Sequence, residues 1–297
     1  MALWGIAWPV GRLLATGLPP ISIAVVRYAI VIPVFLVILR IREHSFNFPR
    51  EWIPTFVVLG ILNTALYQAF FLFGVRYAAA SDDSLVIGVA PVLTAVMASF
   101  IVNEPLTKRK VAGLLSGLAG IGIIALLTPN QNVSNRYLGI TLVVGGALSY
   151  AIYTVLLRRF ITSHPTTVEH VRPSSLALIT WISLFGWIFL IPFSLLEQPW
   201  TYSWDIASWI GILYLALLST VIGYLFFVQG VQQIGASKSA IFGNLIPIFG
   251  VVSSSLLLNE SISIWHGASF VLILLGVLLV NKKAGIPNHP MSTKISN

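Results

Sequence analysis

The chain has no cysteine, so disulfides and thiolate metal sites are excluded. Charge is nearly as scarce: Asp, Glu, Lys and Arg make up 9% of its 297 residues, against roughly 25% in soluble domains. So few charges cannot coat a 32.4 kDa globule with mean hydropathy +0.91, so lipid must solvate most of it. No low-complexity tract is present and aromatics reach 12%, which argues against disorder and fibrous folds. The sequence contains no HExxH, Walker loop or nucleophile elbow. His44, His164, His170, His266 and His289 are expected in loops, tails or at a span edge. No span interior is expected to hold Asp or Glu; Asp82 and Asp83 are assigned to an outer loop. A membrane enzyme needs such groups, so that class is disfavoured, and no metal or cofactor is expected. Proton-driven carriers commonly relay through intramembrane acids or His, so the sequence predicts facilitated diffusion or exchange.

Long apolar runs are abundant. A helix needs about 20 mostly apolar residues to cross a bilayer core. Ten segments qualify: 2–17, 21–39, 52–74, 84–102, 111–128, 137–157, 174–196, 207–228, 239–258 and 263–281. These unbroken runs exclude a β-barrel, whose strands alternate every second residue over about ten residues. The expected fold is an all-α integral membrane protein with ten transmembrane helices. Span 1 shows no basic n-region and no small-residue cleavage site, so it is expected to persist in the mature protein.

Basic residues set the orientation. With the N-terminus inside, cytoplasmic segments hold Arg40, Arg42, Arg50, Lys108, Arg109, Lys110, Arg158, Arg159, Arg172, Lys238, Lys282, Lys283 and Lys294. Outer loops hold only Arg76 and Arg136. Both termini are therefore expected in the cytoplasm. The net charge of +8 follows from this bias and calls for no nucleic-acid partner.

The chain also repeats itself. Moved by 156 residues, Gly74-Val75 falls on Gly230-Val231, Ala80-Ser81 on Ala236-Ser237, Pro91 on Pro247, Asn103-Glu104 on Asn259-Glu260, and Gly120 on Gly276. A looser shift of 146 sets Trp4 on Tyr150 and Arg12 on Arg158. Five spans per copy is an odd number, so the second copy enters the membrane inverted. Inverted repeats let one plan build both an outward and an inward gate. The predicted units are 1–130, 137–283 and a polar tail, 284–297. Ten spans with paired G-V-x(4)-A-S…P…N-E segments resemble the EamA family of the drug/metabolite transporter superfamily. The resemblance implies a carrier of small metabolites, often an exporter, with spans 1, 3, 4, 6, 8 and 9 lining a cavity and 5 and 10 behind.

Several residues are candidates for that cavity. Pro91 and Pro247 each remove a helical hydrogen bond, which lipid tolerates only where protein or water receives the freed carbonyl; Pro33, Pro54 and Pro192 read as simple kinks. Trp8, Asn63, Tyr67, Tyr150, Tyr153, Tyr224 and Asn244 place polar and aromatic groups at mid-depth, alongside Gln68, Ser149, Ser219 and Thr220. Asn63 and Tyr67, and Tyr150 and Tyr153, share helix faces. Arg12 is a candidate carboxylate contact, and Arg27 a weaker one that snorkelling to headgroups also explains. Glu104 and Glu260 read mainly as structural caps for the helices that follow them. Gly113, Gly117 and Gly120 form a stripe for packing against span 10 or a second copy. Trp52, Trp187, Trp200, Trp204 and Trp209 read as an interfacial belt.

These residues favour a multi-pass cell-membrane transporter of a small-molecule substrate, in contact with lipid, as a monomer or weak homodimer. An amino acid with an apolar side chain suits Tyr faces plus one Arg. Phosphorylated sugars or nucleotides are an alternative cargo, disfavoured because they need more cations. A non-transporting membrane sensor or scaffold is the alternative outside transport.

Overall fold

The computed structural model describes residues 1–44, 46, 50–129, 131–163, 173–234, 239 and 242–281. Arg172, Lys238, Lys282, Lys283, Lys294, His164, His170, His289, the Ala236-Ser237 pair and the tail lie outside the described residues. Among the described residues all regular structure is helical. In chain order the helices are α1 (Ala2–Gly17), α2 (Pro20–Glu43), α3 (Arg50–Tyr77), α4 (Ala80–Ile101), α5 (Lys108–Leu127), α6 (Arg136–Ser163), α7 (Ser175–Leu196), α8 (Ile206–Ile234), α9 (Leu245–Leu258) and α10 (Ile264–Asn281). Eight of them are long and apolar enough to cross a membrane; α1 and α9 are shorter, at 16 and 14 residues. The segments between them are short in sequence, and successive helices run in opposite directions. The two ends of the bundle are called outer and inner below, after the orientation expected from the sequence.

Glycines set the closest approaches. A Cβ on Gly113 of α5 would lie 2.8 Å from the Gly276 carbonyl of α10, so α5 and α10 pack along the expected stripe. Ser116 Oγ adds a hydrogen bond to the Leu272 carbonyl, 2.7 Å away. α3 meets α7 at Gly60 and Gly186, and α1 meets α9 at Gly5 and Gly250. In lipid, where burial of apolar surface drives no association, such backbone contact is a main source of helix pairing.

Two helices are interrupted where the sequence expected it. α4 is α-helical over Ala80–Val86, tightens to a 3-10 turn at Ile87–Val89, and resumes at Ala90–Ile101, so Pro91 falls in a fresh first turn. The missing proline N–H costs nothing there. α9 follows a turn at Asn244, which places Pro247 in its first turn. The two interruptions face each other: a Cβ on Gly88 would lie 3.4 Å from Pro247 Cγ. Pro33 and Pro192 do sit inside helices, whereas Pro54 is a first-turn residue and not a kink.

Each of α3 and α8 also contains a π-helical stretch, Ile61–Leu66 and Tyr214–Ile222. Advancing the first by 156 residues lands on 217–222, inside the second. π segments recur at functional sites because they push one residue's side chain out of register.

Two expectations fail here. Asp82 and Asp83 are not in a loop: α4 begins at Ala80, and both acids are fully buried in its first turns. Trp52 is not a belt residue: it is 7% exposed and packs edge-on against Phe160.

Candidate functional site

Three polar assemblies sit within this apolar bundle. The first is central. Arg27 of α2 is 6% exposed and does not snorkel. Its guanidinium donates to Gln68 Oε1 of α3 (3.0 Å) and twice to Thr220 Oγ1 of α8 (3.1 and 2.7 Å). Thr220 lies in the π stretch of α8, and its hydroxyl donates to the Leu215 carbonyl five residues back, at 2.7 Å. Gln68 Nε2 donates to Tyr28 Oη at 3.2 Å. Tyr67, on the next residue of α3, is an electrostatic neighbour of Arg27. From Tyr67 a row of rings runs to Tyr150 (centroids 5.8 Å apart) and on to Tyr153 (5.9 Å) on α6. Tyr150 is 41% exposed despite these neighbours, so the row has an open side.

The second assembly closes the outer end. Glu260, between α9 and α10, accepts from the backbone N–H groups of Ala80 (3.0 Å) and Ser81 (2.8 Å). It therefore caps α4, where a helix N-terminus favours an anion. Arg12 of α1 stands 3.4 Å from Glu260 and donates to the carbonyls of Val75 (3.0 Å), Ala78 and Asn132 (3.2 Å). Arg136, at the start of α6, forks onto Asp82 Oδ2 at 2.9 and 2.7 Å. The Ser263 N–H donates to His266 Nδ1 (3.0 Å), so the ring's proton is on Nε2, 3.3 Å from Asp82 Oδ1. Asp83, alone of these three carboxylates, has no hydrogen-bond partner on either oxygen among the described residues. Glu197 repeats the capping device for α2, accepting from Ile21 (3.1 Å) and Ser22 (2.8 Å).

The third lies at the inner end. Glu104, between α4 and α5, pairs with Lys110 (3.2 Å) and Arg158 (2.9 Å). Partial burial raises its carboxyl, but hydrogen bonds and charge from Lys110 and Arg158 outweigh that and hold it below the usual range. Arg158–Glu104 and Arg12–Glu260 are counterparts under the two sequence shifts, at opposite ends of the bundle. They differ in depth: side-chain exposures are 13% and 6% for the outer pair but 69% and 34% for the inner pair. Asn103 and Asn259 precede the two glutamates with φ of 54° and 53°, a left-handed turn that Asn tolerates and that swings each Glu off its helix. Glu260 thus caps α4 rather than the helix that follows it, contrary to the sequence expectation.

The candidate residues divide among these places. Tyr67, Tyr150 and Tyr153 come together. Asn63, half-buried, lies one turn before Tyr67 in the π stretch of α3. Tyr224 is an electrostatic neighbour of Tyr150 and Tyr153, but its ring packs edge-on to Phe35 at 6.0 Å and its hydroxyl donates to the Ser175 carbonyl at 2.8 Å. Trp8 is 3% exposed and edge-on to Phe71 at 4.9 Å. Arg12 belongs to the outer cluster, and Asn244 to the turn before α9. A cavity of about 190 Å³ opens at the inner end, lined by Leu3, Trp4, Phe226, Phe227, Ser239 and Phe242 among others. Its lining is largely apolar, whereas the polar side chains converge at Arg27 and the tyrosines. The sequence reading passed over Tyr28 and set Gln68 and Thr220 below the main candidates. Their signal was the buried charge of Arg27, which requires such partners.

Comparison with known proteins assigns the chain to a family. The profile of the EamA-like transporter family matches residues 1–126 and 137–282. The chain belongs to the EamA-like transporter family. It is 31% identical to the uncharacterized transporter YyaM of Bacillus subtilis, over 91% of this chain and 87% of the other. It is 25% identical to a protein named a probable amino-acid metabolite efflux pump in Salmonella typhimurium, covering 94% and 91%. A solved crystal structure of 18% identity superposes with a TM-score of 0.61 over 94% of each chain, which is a likeness of fold. This EamA-like chain is a multi-pass membrane protein of a transporter family, not an enzyme.

Proposed function

We propose that the chain is an alternating-access exporter of small organic metabolites, with amino acids bearing apolar side chains as the cargo. The reading includes ten membrane-spanning helices as an inverted five-plus-five repeat, with units at 1–130 and 137–283, a tail at 284–297, and both termini cytoplasmic. It takes the protein to act as a monomer or weak homodimer. The observation that carries it is the mirrored pair of ion pairs, Arg12–Glu260 and Arg158–Glu104. One gate at each end is what alternating access needs. The outer gate is closed, and no residue of Gly223–Ile234, the inner half of α8, is buried. The substrate site is Arg27 with Asn63, Tyr67, Tyr150 and Tyr153. Arg27 supplies a charge-assisted bond to a carboxylate, and the tyrosines supply flat faces with hydroxyl tips. Trp8, Tyr224 and Asn244 flank the path, Pro91 and Pro247 let α4 and α9 bend, and Arg12 acts at the gate. A relative named for amino-acid metabolite efflux supports the cargo.

Counterflow in proteoliposomes tests this. Vesicles loaded with unlabelled leucine or phenylalanine should accumulate the labelled amino acid, and Arg27→Gln should abolish it. Counterflow of sugar phosphates alone would overturn the cargo. No counterflow of any amino acid or sugar phosphate would favour the sensor or scaffold reading.

A further inference from the structure

The outer cluster holds an imbalance. Asp82, Asp83 and Glu260 are three carboxylates, with exposures of 0%, 0% and 6%. Two guanidiniums face them, and both are committed: Arg136 to Asp82, and Arg12 to Glu260 and three carbonyls. His266 Nδ1 accepts from the Ser263 N–H, and its Nε2 lies 3.3 Å from Asp82 Oδ1. Asp83 is left with no donor on either oxygen among the described residues. Its electrostatic neighbours are Asp82, Arg12, Glu260 and Arg136, and its Oδ2 points toward Gly74 of α3. A bare carboxylate buried without a partner is so costly that the group takes a proton instead. One proton also brings the cluster to zero net charge.

We propose that Asp83 is a proton-binding site of the outer gate, where closing the outer face takes up one proton from outside and opening it returns that proton. The proposal rests on the alternating-access reading and makes its outer gate proton-dependent, with no proton carried across. The expectation that the acids lie outside the helices, on which the absence of proton involvement was argued, fails with the burial of Asp83 in the first turns of α4. When α4 parts from Glu260 and α6, Asp83 meets water and ionises at neutral pH. The returning anion cannot be buried until it is protonated. The site exists at one end only: the repeat places Lys238 and Ser239 at the positions matching Asp82 and Asp83. External pH therefore biases the outer gate and not the inner one.

The chain has no native cysteine, so a single introduced thiol reports accessibility alone. Ser81→Cys is suited to this, because Ser81 is fully buried and its hydroxyl bonds nothing among the described residues. The full chain in detergent is labelled with a maleimide from pH 6 to 9. Each rate is divided by that of the same thiol in unfolded protein at the same pH. One proton released on opening gives a labelling ratio that rises toward about tenfold per pH unit. Asp83→Asn should flatten the profile, while Asp83→Glu and His266→Gln should keep it. A flat profile in the parent, or one that survives Asp83→Asn, would overturn the proposal. So would acid-driven opening, the sign expected if His266 were the titrating group. Should Asp83→Asn fail to fold, the slope and its sign in the parent and in Asp83→Glu still decide. The assay needs no substrate, so its failure is distinct from a failed counterflow assay.

Discussion

Glu260→Gln should open the outer face far more than Glu104→Gln opens the inner one. Glu260 is 6% exposed, caps Ala80 and Ser81, and neutralises Arg12. Gln keeps one acceptor oxygen, but it turns an N–H₂ toward helix donors and removes the charge. Stripping one partner from a buried pair costs about 3–5 kcal/mol. The lower figure applies here, since Arg12 keeps the carbonyls of Val75, Ala78 and Asn132 as acceptors. About 3 kcal/mol, at about 1.4 kcal/mol per tenfold, is on the order of 10²-fold in the open-to-closed ratio. The inner pair is 69% and 34% exposed, and such pairs are worth about 0–1 kcal/mol, less than about fivefold. Labelling of Ser81→Cys at pH 7 reads the first effect. A rise of less than about threefold in Glu260→Gln would refute the argument that this carboxylate latches the outer gate, since it predicts on the order of 10²-fold. Equal rises in Glu260→Gln and Glu104→Gln would refute it too.

Gly60→Ala should lower the melting temperature in detergent, because its Cβ would lie 2.6 Å from the Ile182 carbonyl oxygen and 2.7 Å from the Gly186 nitrogen; overpacking of this kind costs about 1–3 kcal/mol. Gly122→Ala has open space around it and should raise that temperature, by the helix preference of about 0.5–1 kcal/mol. Glu104 has a depressed carboxyl, so its contribution is present above the ordinary value of 4.5 and lost as pH falls through the lowered one. The melting-temperature gap between wild type and Glu104→Gln should therefore hold at neutral pH and vanish in strong acid. Arg27→Lys keeps the charge but loses the fork that spans Gln68 and Thr220; counterflow should fall at least tenfold, and wild-type rates would show that charge alone suffices.

The eight long apolar helices were legible because lipid imposes one long apolar pattern on a crossing helix. Pro91 and Pro247 were legible because proline acts through its own backbone, and the stripe of Gly113, Gly117 and Gly120 because small residues act by their spacing. The start of α4 was not. Ala80 and Ser81 are held in a helix by a carboxylate 180 residues away, so no local pattern could pull the helix start ahead of two aspartates. The role of Arg27 was hidden for the same reason. Its partners Gln68 and Thr220 come from α3 and α8, and a headgroup seven residues away looked nearer than either.

That failure bears on how the two halves divide their work. The repeat supplies both ends with the same Asn-Glu turn and an arginine to meet it. What differs is what duplication left unmatched: Asp82 and Asp83 against Lys238 and Ser239, and His266 against Lys110. At the inner end Lys110 and Arg158 give Glu104 two cations, and Glu104 and Arg158 stay partly exposed, at 34% and 69%. At the outer end acids outnumber guanidiniums, and the group is dry. A wet pair with excess cation is indifferent to protons near neutrality, whereas a dry cluster with one carboxylate too many cannot close without one. Under the proposed alternating access, equivalent frames with unequal charge make the two gates answer to different conditions, and the difference rests on a handful of unmatched side chains at one end.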